Sequence, residues 1–556
     1  MKRSTFIKGA VAFAGFLAAG PRARAAAASS FNWTSPYPAS DYRSAGGGRR
    51  GGTIKVSVAT DSGTMDPHAQ SSANVQWFGR ILFDNLVYQD EHGNATPWLA
   101  KSWTISPDGK TYTFFLREDV TFSDGVKFNA EAVLINLEHM RAPATKSLLA
   151  GTYIAPYVNG RALDEYTVET TLRTPYSPFL NVLAQSWLAM QSPKAIKERP
   201  ATLGYHPIGS GPFVLESYTP QQGMIFVRRE GYNWSPPLIG HTGPAHLERM
   251  EFEFVPDASV RYFSLASGEY DFVIDTPPQA AEAIRNNPAL TLTDRIRMGC
   301  PNRGVAFNVA KAPFDDARVR RAAARAVDRS GVAAIAGFGV YQPTANFLSV
   351  TTPYYDPAFQ KMLTYDPDEA NRLLDEAGWS GRDAEGFRTK DGTRLAAEIV
   401  ITAGISSVPA AVEIQADLKK VGFDLALVAE PTGLLLQQRS HGHYQLLAGG
   451  VWHTNTPDAL YINYHSSQIP TLKQAGQNVS RLADPELDSL LEQARETTDS
   501  ATLKSLYSQA QQRLVELVPA VPLYENATVV SFQNRVKGVI YDTSHEVPHF
   551  ETVWVT

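Results

Sequence analysis

The sequence predicts an α/β protein of two or more lobes, and three observations carry that expectation. A chain of 556 residues exceeds the length over which one hydrophobic core keeps growing, so each lobe needs a core of its own. The second half alternates helix-like and strand-like segments, as in Ala410 to Val421, closed by Gly422 and followed by the strand pattern Phe423 to Val428. Between the halves, Val305 to Arg329 joins a strand pattern to a helix pattern around one turn, as a joint between lobes does.

At the start of the chain, Lys2, Arg3 and Lys8, the apolar run Ala10 to Gly20 and Ala23-Arg24-Ala25 have the three-part form of a secretory signal, with cleavage expected between Ala25 and Ala28. Residues 1–28 are therefore read as signal and cleavage region. Arg3-Ser4-Thr5-Phe6-Ile7-Lys8 is similar to a twin-arginine motif but carries Ser4 where the second arginine belongs, which leaves both export routes open. Residues 1–25 hold five basic and no acidic side chains, so their removal takes the formal charge from −5 to −10. An acidic mature chain is a poor match for nucleic acid or an anionic membrane. The signal core is too short to span a bilayer and no later apolar run reaches roughly eighteen residues, so the mature protein is expected to be soluble. Cys300 is the only cysteine, which excludes an intrachain disulfide and a cysteine-based zinc cluster, and no cysteine at the cleavage region offers a lipid anchor.

Residues 29–52, rich in Ser, Pro and Gly, are expected to form a poorly ordered leader. Ordered structure is expected from Thr53 to Val58, which alternates with period two like a half-buried strand. From Ile81 to Glu138 short strands are cut by His92-Gly93-Asn94, Pro107-Asp108-Gly109 and Asp124-Gly125, turn sequences that leave the strand Thr111 to Leu116 between two of them. A helix follows Asn129 and runs to about Arg141.

In the joint, Gly304 to Val309 is a short apolar run before the breaker Lys311-Ala312-Pro313, which suits a buried strand. Asp315 or Asp316 then caps a helix whose Val319, Ala322, Ala323, Ala326 and Val327 share one face. Arg318, Arg320, Arg321, Arg325 and Arg329 hold the other positions. Such a cluster can mark a nucleic-acid surface, but the amphipathic pattern and the nearby Asp315, Asp316 and Asp328 predict a helix face with local ion pairs instead. Downstream, Asp366, Pro367 and Glu369 form a capping box, with Gly378 as a left-handed stop. Asp484-Pro485-Glu486 opens a helix with Leu487, Leu490, Leu491 and Ala494 on one face. A last helix runs near Leu503 to Val518, and Val521 to Tyr524 and Val529 to Phe532 read as strands.

The run Ile81 to Glu138, the turn Pro207-Ile208-Gly209-Ser210-Gly211-Pro212-Phe213, the joint Val305 to Arg329, and Tyr365-Asp366-Pro367-Asp368-Glu369-Ala370 through Ala377-Gly378-Trp379 together resemble the family 5 extracellular solute-binding proteins. These are the dipeptide, oligopeptide and nickel-binding components of ABC importers, and the match covers nearly the whole mature chain in order. The resemblance implies an α/β, bilobal, periplasmic-binding-protein-like fold of the large, three-subdomain type, with hinged lobes around a central cleft. It implies lobe I over 53–304 with an inserted subdomain at about 85–200, lobe II over 305–523, and a C-terminal return to lobe I over 524–556. It further implies a monomeric, non-catalytic periplasmic protein that closes on a small polar solute, foremost a peptide or peptide-like compound, and docks transiently on an ABC permease in the inner membrane. A sugar conjugate, an opine-like compound or a metallophore is the alternative solute.

The binding loop is read at Gly449 to Asp458, where Trp452 offers a stacking surface and His453, Thr454 and Asn455 offer hydrogen bonds. In the dipeptide-binding members an aspartate shortly before the Pro-Asp pairs with the peptide's amino terminus. This chain has His453 or a neighbour there, so no carboxylate faces an ammonium. Asp458 itself reads as a turn residue. Gln70 and Trp77, and Gln185 and Trp187 after Pro178-Phe179-Leu180, are expected as further walls; nickel-binding relatives place an arginine near the second position, which Trp187 and its neighbours do not supply. Tyr341 and Asn346 complete the set from the second lobe.

Catalysis has no comparable constellation. His545-Glu546-Val547-Pro548-His549 is a literal H-E-x-x-H, the mark of an exported metal-dependent hydrolase, but Pro548 breaks the helix that such zinc chemistry requires. His441-Gly442-His443 lacks carboxylate or cysteine company. No catalytic residue, metal site or cofactor is expected.

Overall fold

The structure is a computed structural model that describes residues 35–147, 149–301, 303–402, 407–449, 454–474 and 476–556. Residues 1–28, read as a signal, the first part of the expected leader (29–34), and Trp452 and His453 of the expected binding loop lie outside the described residues.

Two large sheets carry the molecule. The first has seven strands in the order Leu290–Ile296, Ala527–Gln533, Phe272–Ile274, Thr53–Val58, Arg249–Phe254, Gly223–Arg228 and Phe213–Thr219. Thr53–Val58 lies parallel to both its neighbours, with Val56 in register with Phe252 on one side and Phe272 on the other. The second sheet has five strands in the order Asp424–Glu430, Ala396–Thr402, Leu446–Gly449, Arg303–Phe307 and Ala520–Tyr524. Each sheet has its own core. Ile54, Phe78 and Phe252 belong to one, and Phe307, Val319, Ile399 and Leu514 to the other. A four-stranded antiparallel sheet, Ala100–Ile105, Thr111–Leu116, Thr167–Leu172 and Tyr157–Asp164, joins the first core through Phe114 and Val168. The helix Ala130–Arg141 packs on it, capped by Asn129, whose side chain accepts from the Ala132 N–H at 3.0 Å.

The chain passes between the two large sheets twice, and the passages run side by side. It leaves Leu290–Ile296 to enter Arg303–Phe307, and leaves Ala520–Tyr524 to enter Ala527–Gln533. The Arg297 N–H donates to the Asn526 carbonyl at 2.9 Å, and Arg303 pairs with Tyr524. Paired crossing segments of this kind are where lobes hinge.

The turn Pro207 to Phe213 owes its glycines to a close approach. The Gly211 N–H donates to the Leu82 carbonyl at 3.0 Å, and a Cβ on Gly209 or Gly211 would overlap the Leu82 backbone. Side chains at either place would push the turn off the helix Asn74–Leu82.

Three local expectations need correction. Residues 35–52, expected as a poorly ordered leader, are built onto the first lobe. Tyr42 is fully buried and donates to Glu546 Oε1 at 2.7 Å, Asp41 pairs with Arg295 at 2.5 Å, and the Arg295 guanidinium lies 3.5 Å from the Tyr37 ring centroid. Aromatic and charged anchors outweigh the Ser/Pro/Gly background. The joint helix ends at Ala326, and a second helix, Arg329–Gly337, starts with Asp328 as its cap, so Asp328 serves the backbone rather than an arginine. Of the arginines only Arg318 forms an ion pair with a nearby aspartate, Asp316; Arg320 donates to the carbonyls of Phe314, Leu517 and Val518, and Arg329 to those of Ala324 and Pro522. Finally, Asp366 caps the helix Pro367–Glu376 through the Glu369 N–H, but the Glu369 side chain pairs with Arg372, and the Asp366 N–H donates to the Arg325 carbonyl instead. Half of the capping box forms.

Candidate functional site

The two lobes meet where the segment 454–458 and the helix Ala459–Tyr464 of the second face residues 176–185, which follow the four-stranded sheet of the first. Asn455 Nδ2 donates to Gln89 Oε1 and to the Asn181 carbonyl, both at 2.7 Å. Gln185 Nε2 donates to Thr454 Oγ1 at 3.1 Å, and Tyr176 donates its hydroxyl to Asp458 Oδ2 at 3.2 Å. Gln185, Thr454, Asn455 and Asp458 are all buried. The lobes are therefore closed on each other at this point.

Asp458, read from sequence as a turn residue, is the pivot of the contact. Arg495, from the helix Pro485–Glu496, reaches it through Nε at 2.8 Å and Nη2 at 3.1 Å. The Arg495 guanidinium also stacks on Tyr461 at 3.6 Å and on Tyr176 at 4.9 Å. Burial works against its charge, yet Asp458 beside it raises its pKa above the ordinary arginine value. Ser177 completes the seam: its N–H donates to the Arg495 carbonyl and its hydroxyl to the Ala494 carbonyl at 2.9 Å.

Four expected site residues, Gln185, Trp187, Thr454 and Asn455, sit together at or beside this contact. Trp187 packs edge-on against His545, with ring centroids 5.1 Å apart, and its Nε1 has no partner; Gln185 Oε1 and Thr456 Oγ1 are likewise buried without one. The other four do not join them. Trp77 stacks on Phe252 at 5.1 Å within the first core, because the helix that bears it is buried along its whole length. Gln70 holds its own loop, donating to the Ser62 carbonyl and accepting from the Ser71 and Ser72 N–H groups. Tyr341 stacks on Tyr524, with rings 5.0 Å apart and 2° from parallel, and Asn346 donates to the Asp356 carbonyl at 2.8 Å inside its own turn.

A cavity of about 150 Å³ opens in the second lobe, over Gly304–Ala306 and Leu447–Gly449 and under the helix Thr432–His441. Arg439 of that helix lines it. Its Nη2 donates to Gln477 Oε1 at 2.7 Å, and no carboxylate among the described residues lies within 4 Å; the residues outside the described ones contain no Asp or Glu. Burial lowers its pKa from the ordinary arginine value. A half-buried cation without a counter-charge has the chemistry to receive an anionic group. No element was read over Thr432–His441 in sequence, so nothing there singled out Arg439.

The H-E-x-x-H stretch is not a zinc helix. Asp542 to His549 forms turns, with Glu546 at φ 56°. His549 bonds to Tyr88 at 3.0 Å and Glu551 at 3.1 Å, and Glu546 pairs with Arg295 at 3.0 Å. Asp542 is buried against Arg80 at 2.8 Å; burial opposes its charge, but the guanidinium holds it far below the usual carboxylate range. Cys300 is buried and its thiol pKa is pushed up by burial, so it stays protonated.

Comparison with known proteins matches residues 94–470 to the bacterial extracellular solute-binding proteins, family 5 (middle region). The chain belongs to this family. Among curated family 5 relatives, the glutathione-binding protein GsiB of Shigella dysenteriae is 28% identical over 490 residues, covering 87% of this chain and 91% of the relative. The nickel-binding periplasmic protein of Escherichia coli K12 is 29% identical over 496 residues, covering 86% and 90%. Among solved structures, NikA from Brucella suis in complex with Fe(III)-EDTA superposes with a TM-score of 0.79 at 26% identity, over 91% of this chain and 100% of that one. DppA from Helicobacter pylori, in complex with the peptide STSA, gives 0.75 at 26%, over 91% and 98%. As a family 5 member the chain is a solute-binding protein built on two lobes, and no helix among its described residues is long and apolar enough to cross a membrane.

Proposed function

We propose that this protein is the periplasmic solute-capturing component of an ABC importer, and that its solute is a peptide or peptide-like compound carrying a carboxylate. The lobe contact made by Thr454 and Asn455 against Gln185, Gln89 and Asn181 carries the reading. Two buried polar atoms with opposite roles, the acceptor Gln185 Oε1 and the donor Trp187 Nε1, belong to the segment that meets Thr454, and neither has a partner. An amide offers a donor and an acceptor of its own, and leaving both protein atoms unpaired costs about 1–3 kcal/mol each. Arg439 supplies the charge for a carboxylate. The glutathione-binding relative and the peptide-bound structure are consistent with this class. Residues 1–28 act as the export signal, so the mature protein works outside the cytoplasm, delivers its solute to a permease by transient docking, and has no catalytic step.

The test is calorimetry on purified mature protein with glutathione and a panel of di- to tetrapeptides, beside native mass spectrometry of freshly isolated protein. Saturable binding of at least one peptide is expected. Failure of every peptide to bind, with a non-peptide molecule co-purifying, would remove the peptide assignment. Intact mass of exported protein is expected to place the amino terminus after Ala25 to Ala28; retention of Met1 would remove the signal assignment.

A further inference from the structure

One group of side chains is absorbed by neither the lobe contact nor the cores. Asp66 and His68 lie in the loop after Thr53–Val58, and His139 lies in the last turn of Ala130–Arg141. The potential ligand atoms of the three are all within 4.8 Å of one another. His68 Nδ1 and His139 Nδ1 are 2.9 Å apart. On its other side His68 Nε2 is 2.8 Å from the Ala189 carbonyl oxygen. A carbonyl oxygen only accepts, so Nε2 carries the hydrogen and the Nδ1 lone pair of His68 faces the group. A backbone carbonyl in this role fixes the tautomer and orientation of metal-ligating histidines in general.

The surroundings are held in the same way. Gln191 Nε2 donates to Asp66 Oδ1 at 2.9 Å, and the His68 N–H donates to the same oxygen at 3.0 Å, which leaves Oδ2 outside those bonds. Gln191 is fixed by Asn136: its N–H donates to Asn136 Oδ1 at 2.8 Å, and Asn136 Nδ2 donates back to the Gln191 carbonyl at 2.9 Å. Asn136 precedes His139 by one helical turn, so the bond that positions Gln191 also sets the height of His139 over Asp66. His68 is fully buried, Asp66 nearly so, and His139 half-exposed, which gives an enclosed group with one open side.

We propose that Asp66, His68 and His139 form a site for one late first-row divalent cation, zinc or nickel, that clips the loop of the first lobe to the inserted subdomain. Two imidazoles and a carboxylate are the donor set such ions take, with a fourth position left to solvent on the His139 side. Bond lengths near 2.0–2.1 Å in a tetrahedral site place donor atoms about 3.3 Å apart; the two nitrogens, now 2.9 Å apart, reach that spacing by opening a few tenths of an ångström, and rotation of the Asp66 carboxylate brings in Oδ2. The separation of 71 positions between His68 and His139 hides the group from any motif of fixed spacing.

The test uses untagged, chelator-stripped mature protein without solute, titrated with Zn²⁺ and with Ni²⁺ against a chromophoric chelator, and melted with and without metal. One equivalent bound and a metal-dependent rise in Tm are expected for the wild type. His139→Gln and Asp66→Asn, both close in shape to the native residues, are expected to weaken binding more than about tenfold and to abolish the rise, while the double variant His441→Asn/His443→Asn behaves as wild type. Circular dichroism without metal checks that each variant folds. The site is overturned if wild type takes up neither ion, or if His139→Gln and Asp66→Asn bind as wild type does.

Discussion

Arg439 and Glu525 show how one side chain carries a testable charge. Replacing Arg439 by Gln removes the cation but keeps a hydrogen-bonding chain over the cavity. Affinity for a carboxylate-bearing peptide is expected to fall by about 1.5–3 kcal/mol, the worth of a hydrogen bond to a charged group, with a smaller loss for the amidated peptide; calorimetry on the two forms reads the difference. Glu525 is buried where the second crossing segment leaves its sheet, accepting from the Val350 N–H at 3.3 Å. Burial raises its carboxyl pKa from 4.5 to about 7. Because the folded value lies above the unfolded one, its contribution to stability is complete below the unfolded value and is lost as pH rises through the folded one. Between those limits the wild type is expected to lose about 3 kcal/mol from this group, and Glu525→Gln to lose none of that share, as followed by urea melts at pH 5 and pH 8. At this scale the sequence pointed to Thr454 and Asn455, polar residues in a Gly- and Pro-bounded loop, and to Gln185 after Pro178-Phe179-Leu180, and the structure brings the three together at the lobe contact. Asp458 was not legible: Pro-Asp is also a turn signature, and its partners Arg495 and Tyr176 are remote in sequence.

Elements were legible where their ends are set locally. Asn129, Asp316, Asp366 and Asp484 each accept a hydrogen bond from an N–H two or three residues on, and the helices begin where those residues place them. Asn129→Ala is expected to lose about 1 kcal/mol in urea unfolding, while Asn129→Ser retains most of it. The joint helix shows the limit. Its small-residue face was clear, but its Arg320 and Arg321 bond to carbonyls between Val515 and Val518, almost two hundred residues away, and no periodicity reveals such partners. The same holds for Trp77, whose helix has no exposed face although it carries Asn74, Gln76 and Arg80, so that its burial could not be read from its sequence.

For the whole molecule, the α/β class and the two-lobed plan followed from length, alternation and family resemblance, whereas strand order did not. Pairing of Thr53–Val58 with strands that begin near residues 249 and 272 depends on contacts that local sequence does not encode. Closure is tested at the same scale. Tyr176→Phe removes the hydroxyl bonded to Asp458 across the cleft while keeping the ring against Arg495. The closed form is expected to lose about 1 kcal/mol, seen as a larger radius of gyration in small-angle X-ray scattering without solute, restored on adding one that binds.

The seam has a further property. Among the described residues no pair of opposite full charges crosses the cleft: Asp458 and Arg495 both belong to the second lobe, and each meets the neutral Tyr176 of the first, while the remaining bonds across are amide, hydroxyl and backbone. Mobile ions screen the attraction of separated charges and leave bonds between uncharged groups almost untouched. Opening and closing should therefore be nearly indifferent to ionic strength. Salt would then act mainly on the attraction between Arg439 and the solute's carboxylate, and leave the contact between the lobes as it is through dilution and brine alike.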